Sequence, residues 1–228
     1  MSENTEKLNY WKKIYLLDSI FKKILKKYRL DFFKTFEENI IYDNSSRILD
    51  VGTSEVINET DNLFIQLYKY KKNITCLSKQ DLKKIKTKYK EINFIIGDAL
   101  SSGLPDNSFD IVHSNATIEH VGDGSNQFIF LRECLRISQK FVFIQTPNKF
   151  FPIDFHTKIP LIHFLPDKIY RKLLSLIGLN FYADVNNLNL ISLKEINFFL
   201  KKLEYKKCKI IKKKLCGITS NLIIIIEK

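Results

Sequence analysis

The sequence predicts an α/β protein: a doubly wound, mostly parallel sheet of seven strands, with an N-terminal helical extension and an insert after strand five. Three observations predict it. Short apolar, β-branched runs alternate with helix-period stretches from Arg47 to Gln145, the rhythm of βαβ units with right-handed crossovers. Apolar residues make up 45% of the 228, enough to bury a core, while 7 glycines and 5 prolines are too few for a collagen-like or disordered chain. Several strand-like runs end in small or polar residues, and a parallel sheet binds its ligands beyond its carboxyl ends.

Residues 1–45 form the helical extension. Trp11, Ile14, Leu17, Phe21, Ile24, Leu25 and Tyr28 recur at three- and four-residue steps, which predicts a helix over 8–28. The pairs Lys12-Lys13, Lys22-Lys23 and Lys26-Lys27 fall largely off that stripe. A helix packed on the domain with a solvated lysine face explains this, and a membrane-surface helix is the other reading. A short helix over 32–41 follows.

Residues 46–228 form the main domain. Arg47–Val51 reads as a buried strand ending Leu49-Asp50-Val51-Gly52. A helix over 62–71 follows, with Thr60 or Asp61 as N-cap. Residues 73–77 are the second strand, and a lysine-rich helix covers 79–89. Strands Asn93–Ile96 and Phe109–Val112 are joined through Gly103, Pro105, Asp106 and Asn107, which are turn formers. Helix 125–137 and strand 141–145 complete the alternation. The insert, 147–190, breaks it with aromatics, prolines and histidines around a helix over 168–177. Helix 193–203 and strands 205–211 and 218–226 follow, the last two pairing at a sheet edge.

The net charge of +12 raises nucleic acid or an anionic membrane as partners. Its distribution argues against nucleic acid. From Glu91 to Leu131 there is no lysine or arginine but six carboxylates: Glu91, Asp98, Asp106, Asp110, Glu119 and Asp123. A site built there suits an uncharged or cationic cofactor rather than phosphate chains. The basic ends admit peripheral membrane contact. Cys76, Cys134, Cys208 and Cys216 form no C-x-x-C pair and read as buried free thiols in a reducing compartment. With no signal-like N-terminus and no apolar run long enough to span a bilayer, a cytoplasmic protein is expected.

Leu49-Asp50-Val51-Gly52 closing strand one, Gly97-Asp98-Ala99 after strand three, Leu104-Pro105-Asp106-x-Ser108-Phe109-Asp110 entering strand four and Glu119-His120-Val121 after it resemble a class I S-adenosylmethionine-dependent methyltransferase over about 47–147. The insert adds Thr146-Pro147-Asn148, Phe151-Pro152, His156-Thr157, Pro160, His163, Leu165-Pro166 and Asn187-Leu188-Asn189-Leu190. It is similar to a bacterial branch often associated with surface-glycan synthesis.

The resemblance implies a Rossmann-like methyltransferase fold and a role for each matching residue. Gly52 lets the backbone approach the amino acid part of S-adenosylmethionine, because a side chain would collide. Asp50 holds its ammonium. The loop departs from the family in Thr53-Ser54-Glu55-Val56, where hydroxyls of Thr53 and Ser54 replace backbone contacts of further glycines. Strand two ends in Leu77-Ser78-Lys79, so Ser78 gives one hydrogen bond where the family has a ribose-binding acid. Asp81 is a substitute for that acid or a helix cap. Asp98 accepts from the adenine amino group beside the small Ala99. Ser114 and Asn115 stand where cofactor and acceptor meet.

On the acceptor side the resemblance brings Glu119 and His120, with Asp123 at the same mouth. An imidazole titrates near neutrality, so His120 could deprotonate a hydroxyl, or it packs against the next helix. Phe151, His156 and His163 would bind the acceptor's polar groups among Phe150, Phe155 and Phe164. His120, His156 and His163 could imitate a metal set, but no carboxylate or cysteine spacing joins them, so no metal is expected. His113 reads as structural. The implied activity is methyl transfer from S-adenosylmethionine to a small or carrier-linked acceptor, a sugar hydroxyl in surface-glycan synthesis. An RNA methyltransferase and a non-catalytic relative that binds a metabolite or partner are the alternatives.

Overall fold

A computed structural model describes residues 26, 27, 29–58 and 61–228. Apart from residues 26 and 27, the stretch 8–28 expected to be helical lies outside the described residues, as does Thr60. The chain divides into two compact units, one comprising Met1–Ile41 and Val56–Lys69, the other Tyr42–Glu55 and Tyr70–Lys228.

The described part of the first unit is helical. Residues 29–39 form α1 and Leu63–Leu67 form α2. Its core is aromatic: Phe36, fully buried, meets Phe64 edge-on at 5.0 Å, and Tyr68 stacks on Phe64 at 5.5 Å. Arg29 pairs with Asp61 at 2.6 Å. Asp61 is thus spent on Arg29 and Asn58, and Asn62, in the left-handed region at φ 52°, opens α2 without a side-chain cap. The helix is shorter than expected because Tyr68 turns to extended backbone while its ring stays buried.

The second unit holds a seven-stranded sheet in the order β3-β2-β1-β4-β5-β7-β6. Its strands are β1 (Ile48–Val51), β2 (Ile74–Ser78), β3 (Asn93–Ile96), β4 (Phe109–Asn115), β5 (Ser138–Pro147), β6 (Lys207–Leu215) and β7 (Ile218–Glu227). β1 pairs in parallel with β2 and β4, β2 with β3, and β4 with β5. β7 runs antiparallel to both β5 and β6, so the sheet is mixed. Two features impose this. Cys216 and Gly217, at φ 50° and 82°, make a two-residue turn that returns the chain on itself. Leu222–Ile226 is apolar throughout and buried, which demands an inner position. The lysine-alternating β6 is left at the edge, where charge blunts unwanted pairing.

One face of the sheet is covered by α4 (Gly124–Ile137) and α7 (Leu193–Leu200). Phe130, Leu131 and Cys134 of α4 and Ile196, Phe199 and Leu200 of α7 pack with Leu49, Val51, Val112, Ile144, Leu222 and Ile224. Each such aliphatic or aromatic side chain contributes about 1.5–3 kcal/mol by leaving water. Asp123 caps α4 by accepting from Ser125 and Asn126 N–H, and Ser192 with Glu195 forms a capping box on α7. Asp123 is therefore a helix cap.

α3 (Lys83–Lys88) is shorter than expected, because residues 79–82 continue as a loop. Lys84 N–H donates to Glu55 at 2.7 Å, tying this helix to the loop after β1, and Asp81 pairs with Lys86 rather than capping. The insert carries α5 (Asp167–Leu176) and α6 (Asn180–Ala183). Cys76 and Cys134 are buried free thiols as expected, but Cys216 is exposed in the β6–β7 turn. Among the described residues no helix is long and apolar enough to cross a membrane.

Candidate active site

The chain leaves β1 toward β2 and β3, then crosses back to β4 on β1's other side. Loops diverge at that switch point and open a crevice beyond the carboxyl ends of the strands. Here the crevice has a volume of about 260 Å³. Gly52, Thr53, Ser54, Ser78, Asp98, Ala99, Thr117 and His120 line it. The spatial expectation from strand ends is met by Gly52 and Asp98, which share this wall; Asn115 is not among the lining residues.

Gly52 sits at φ +89°, and a Cβ there would lie 2.1 Å from Thr117 Oγ1. Both facts demand glycine. Its N–H donates to Leu77 O at 2.9 Å. Thr117 donates to Val51 O at 3.1 Å, and Ser114, fully buried, donates to the same carbonyl at 3.0 Å. Ser114 thus braces the end of β1 instead of facing the crevice.

Asp50 also points elsewhere. It is buried, and its carboxylate takes His113 Nδ1 at 2.6 Å and Thr53 Oγ1 at 2.7 Å. It fixes the loop that carries Gly52 and does not line the crevice. His113 stacks on Phe143 at 5.7 Å inside the sheet.

Ser78 lines the crevice and accepts from Gln80 N–H at 3.2 Å. Asp98 accepts from Leu100 N–H at 2.9 Å and pairs with Lys79 at 3.0 Å. Lys79 lines the crevice too, so the expectation of a cation-free site holds for 91–131 but not for the wall given by the loop after β2.

The acceptor-side residues converge at the other end. A 3₁₀ turn, Ile118–His120, follows β4. Glu119 is fully buried; one oxygen accepts from Thr146 Oγ1 at 3.0 Å and the other, Oε1, has no hydrogen-bond partner. His120 Nδ1 donates to Asn187 O at 2.5 Å, and its Nε2 lies 3.1 Å from Nε2 of His156. His156 donates from Nδ1 to Asp154 at 3.0 Å, and Asp154 also accepts the backbone N–H groups of His156 and Thr157. Burial raises the Asp154 carboxyl's pKa, but these donors outweigh it and hold it at about 2. Burial lowers the His156 pKa, and the bond to Asp154 with the nearby Glu119 charge more than reverses this, raising it.

The Asn187-Leu188-Asn189 stretch straps this corner. Asn189 N–H donates to Glu119 O at 2.7 Å, Gln127 donates to Asn189 O at 2.6 Å, and Asn189 Nδ2 donates to Gly122 O at 3.0 Å.

Phe151 and His163 stand apart. His163 is buried and donates from Nε2 to Phe151 O at 2.9 Å, while Phe151 stacks on Phe155 at 5.3 Å. His163 lines a separate cavity of about 80 Å³ with Lys149, Tyr170 and Arg171. Three residues of the site carry no motif of their own, Thr117, Asp154 and Gln127, and the Thr146-Pro147-Asn148 motif gives no sign of the bond from Thr146 to Glu119. Only the Asp154-x-His156 spacing, a side-chain-to-backbone turn, leaves a trace in the sequence.

Residues 49–141, β1 through the start of β5, match the family model described as a methyltransferase domain. None of the curated proteins matches the sequence. Among solved structures, the chain is similar to an S-adenosylmethionine-dependent methyltransferase from Archaeoglobus fulgidus, at 17% identity over 94% of this chain and 99% of that one, TM-score 0.56. A second such enzyme, from Methanosarcina mazei, matches at 14% identity over 82% and 94%, TM-score 0.51. PigF, solved with SAH, matches at 17% identity over 91% of this chain and 58% of that one, TM-score 0.55. At these identities the likeness is one of fold. The sheet unit therefore has the fold of these solved structures, residues 49–141 of it match a methyltransferase domain, and the crevice lies where an open parallel sheet places its ligands.

Proposed function

We propose that this protein transfers a methyl group from S-adenosylmethionine to a hydroxyl of a small or carrier-linked acceptor, a sugar in surface-glycan synthesis. S-adenosylmethionine is the cofactor. The observation that carries the reading is the single crevice running from Gly52 and Asp98 to His120, inside the segment that matches a methyltransferase domain. Its walls fit an adenosyl group. Gly52, Gly97 and Ala99 keep side chains out of one side, and Asp98 offers a carboxylate oxygen at the rim. The solved relatives named with this cofactor or its product support the same assignment.

Bound there, the cofactor supplies an electrophilic methyl on a sulfonium. The chain's own part is to hold and orient. Gly52 and Thr117 shape the floor, Asp98 accepts a hydrogen bond, and the Ser78 hydroxyl meets a diol. At the far end His120 is the residue placed to activate the acceptor hydroxyl, with Glu119 and His156 behind it. Alignment of acceptor, methyl and sulfur supplies most of the acceleration. The glycan assignment rests on the sequence resemblance of the insert and on its mixed aromatic and polar surface around Phe150, Phe155 and Phe164.

Calorimetry with S-adenosylhomocysteine and transfer of a labelled methyl group to a panel of free and carrier-linked sugars test the reading. Micromolar binding and acceptor-dependent release of S-adenosylhomocysteine are expected. Absence of binding at millimolar ligand would remove it. Transfer to bulk RNA with a steep salt dependence would replace the acceptor class.

A further inference from the structure

Three acceptor atoms face one another at His120, the one of the three residues that lines the crevice. His120 Nδ1 lies 2.5 Å from a backbone carbonyl, so it must carry the hydrogen, and the neutral ring presents a lone pair at Nε2. His156 Nδ1 gives its hydrogen to the Asp154 carboxylate and likewise presents a lone pair at Nε2. These two nitrogens are 3.1 Å apart. Glu119 Oε1, buried and without a hydrogen-bond donor, lies 3.8 Å from His156 Nε2. The three atoms all lie within 4.8 Å of one another. A proton shared between the imidazoles would satisfy two of them and leave the carboxylate oxygen bare.

We propose that Glu119, His120 and His156 bind a divalent transition-metal cation at this point. Metal–nitrogen bonds of about 2.0–2.1 Å put two imidazole nitrogens of one tetrahedral ion about 3.3 Å apart, close to the separation found. Two imidazoles and one carboxylate select zinc, manganese, iron or cobalt over the harder magnesium and calcium. Each ligand is aimed by a partner on its other atom: Thr146 for Glu119, the Asn187 carbonyl for His120 and Asp154 for His156. Such outer partners are the usual mark of a built metal site. The missing carboxylate of the sequence expectation is Glu119, the chain neighbour of His120, turned inward by Thr146.

Three protein ligands leave open positions, and His120 lies on the crevice wall. This role of the cation rests on the proposed function. The acceptor oxygen takes an open position, its proton passes to solvent water, and the oxygen attacks the methyl as the sulfur–carbon bond breaks.

The test reads cation binding without any methyl transfer. Full-length protein stripped with a chelator is titrated with Co2+ by visible absorption and with Zn2+ by equilibrium dialysis. One cation per chain is expected, lost in His156→Ala and at least about a hundredfold weaker in Glu119→Gln. Asp154→Asn, which keeps all three ligands, weakens binding on the order of ten- to a hundredfold. Asp98→Ala keeps the cation while weakening S-adenosylhomocysteine. No uptake by the stripped wild-type protein, or unchanged affinity in a folded His156→Ala or Asp154→Asn variant, overturns the site. Cation uptake with no methyl transfer to any acceptor supports the site and counts against the proposed function alone.

Discussion

The two ends of the crevice are built in opposite ways. The cofactor end is made of backbone. Strand termini and tight turns place Gly52, Gly97 and Ala99, and the neighbouring carboxylates are already partnered: Asp50 by Thr53 and, across to β4, His113, and Asp98 by Leu100 N–H and Lys79. The end at His120 is made of side chains, aimed by β5 and by the insert. Glu119 depends on a residue 27 positions away and His120 on one 67 positions away. A shared fold can carry the first kind of end with little sequence identity, while the second is particular to the insert that closes it.

The sharpest way to break the comparison is Gly52→Ala. The new Cβ meets Thr117 Oγ1 and the backbone is held in the left-handed region. A loss of about 3 kcal/mol in urea unfolding is expected, with S-adenosylhomocysteine binding abolished. Thr117→Ser in the same chain should recover little of it, because the contact with Oγ1 remains.

Next is Asp154→Asn. Without the carboxylate, His156 loses its orienting partner, and kcat is expected to fall about ten- to a hundredfold with the S-adenosylhomocysteine Kd unchanged. A matching rise in that Kd would show that the two ends are not separable. Asp98→Ala should do the reverse, weakening S-adenosylhomocysteine about tenfold in calorimetry, as expected for one lost hydrogen bond to a charged group.

The smallest effect expected lies outside both ends. Glu133 accepts from Arg136 and Ser102, and the Arg136 guanidinium and these hydroxyl and amide donors, working against burial, hold its carboxyl at about 2. A carboxyl depressed in the folded state adds stability above its unfolded pKa. That increment is present above about pH 4.5 and is lost as pH falls toward 2. Glu133→Gln should lower the melting temperature by a few degrees at neutral pH, roughly 1 kcal/mol, and the gap from wild type should close in acid. A gap that widens in acid would contradict the assignment.

The parallel half of the fold was legible because β1, β2, β4 and β5 each hold a short buried apolar stretch, Ile48-Leu49, Cys76-Leu77, Ile111-Val112 and Val142–Ile144. Helix ends were less so. Lys79, Gln80 and Leu82 are good helix formers, yet the chain there runs as a loop, and the helix begins where Glu55 accepts from Lys84 N–H. The inner position of β7 follows from its composition, but no periodicity says which neighbour it takes. In the site, Gly52, Asp98, Ala99 and His120 were legible from strand-end motifs. Asp50 and Ser114 carry the same motifs but are taken up inside the sheet, Asp50 by Thr53 and His113 and Ser114 by the Val51 carbonyl. Thr146 acts on Glu119 from 27 positions away, which a linear pattern does not encode.

The strap across Glu119 and His120 grips with main chain: the carbonyl of Asn187 fixes the tautomer of His120, and the N–H of Asn189 holds Glu119. A peptide carbonyl survives any exchange of the side chain that hangs from it. Side chains along the strap can therefore change, residue by residue, while the imidazole keeps the same nitrogen bare.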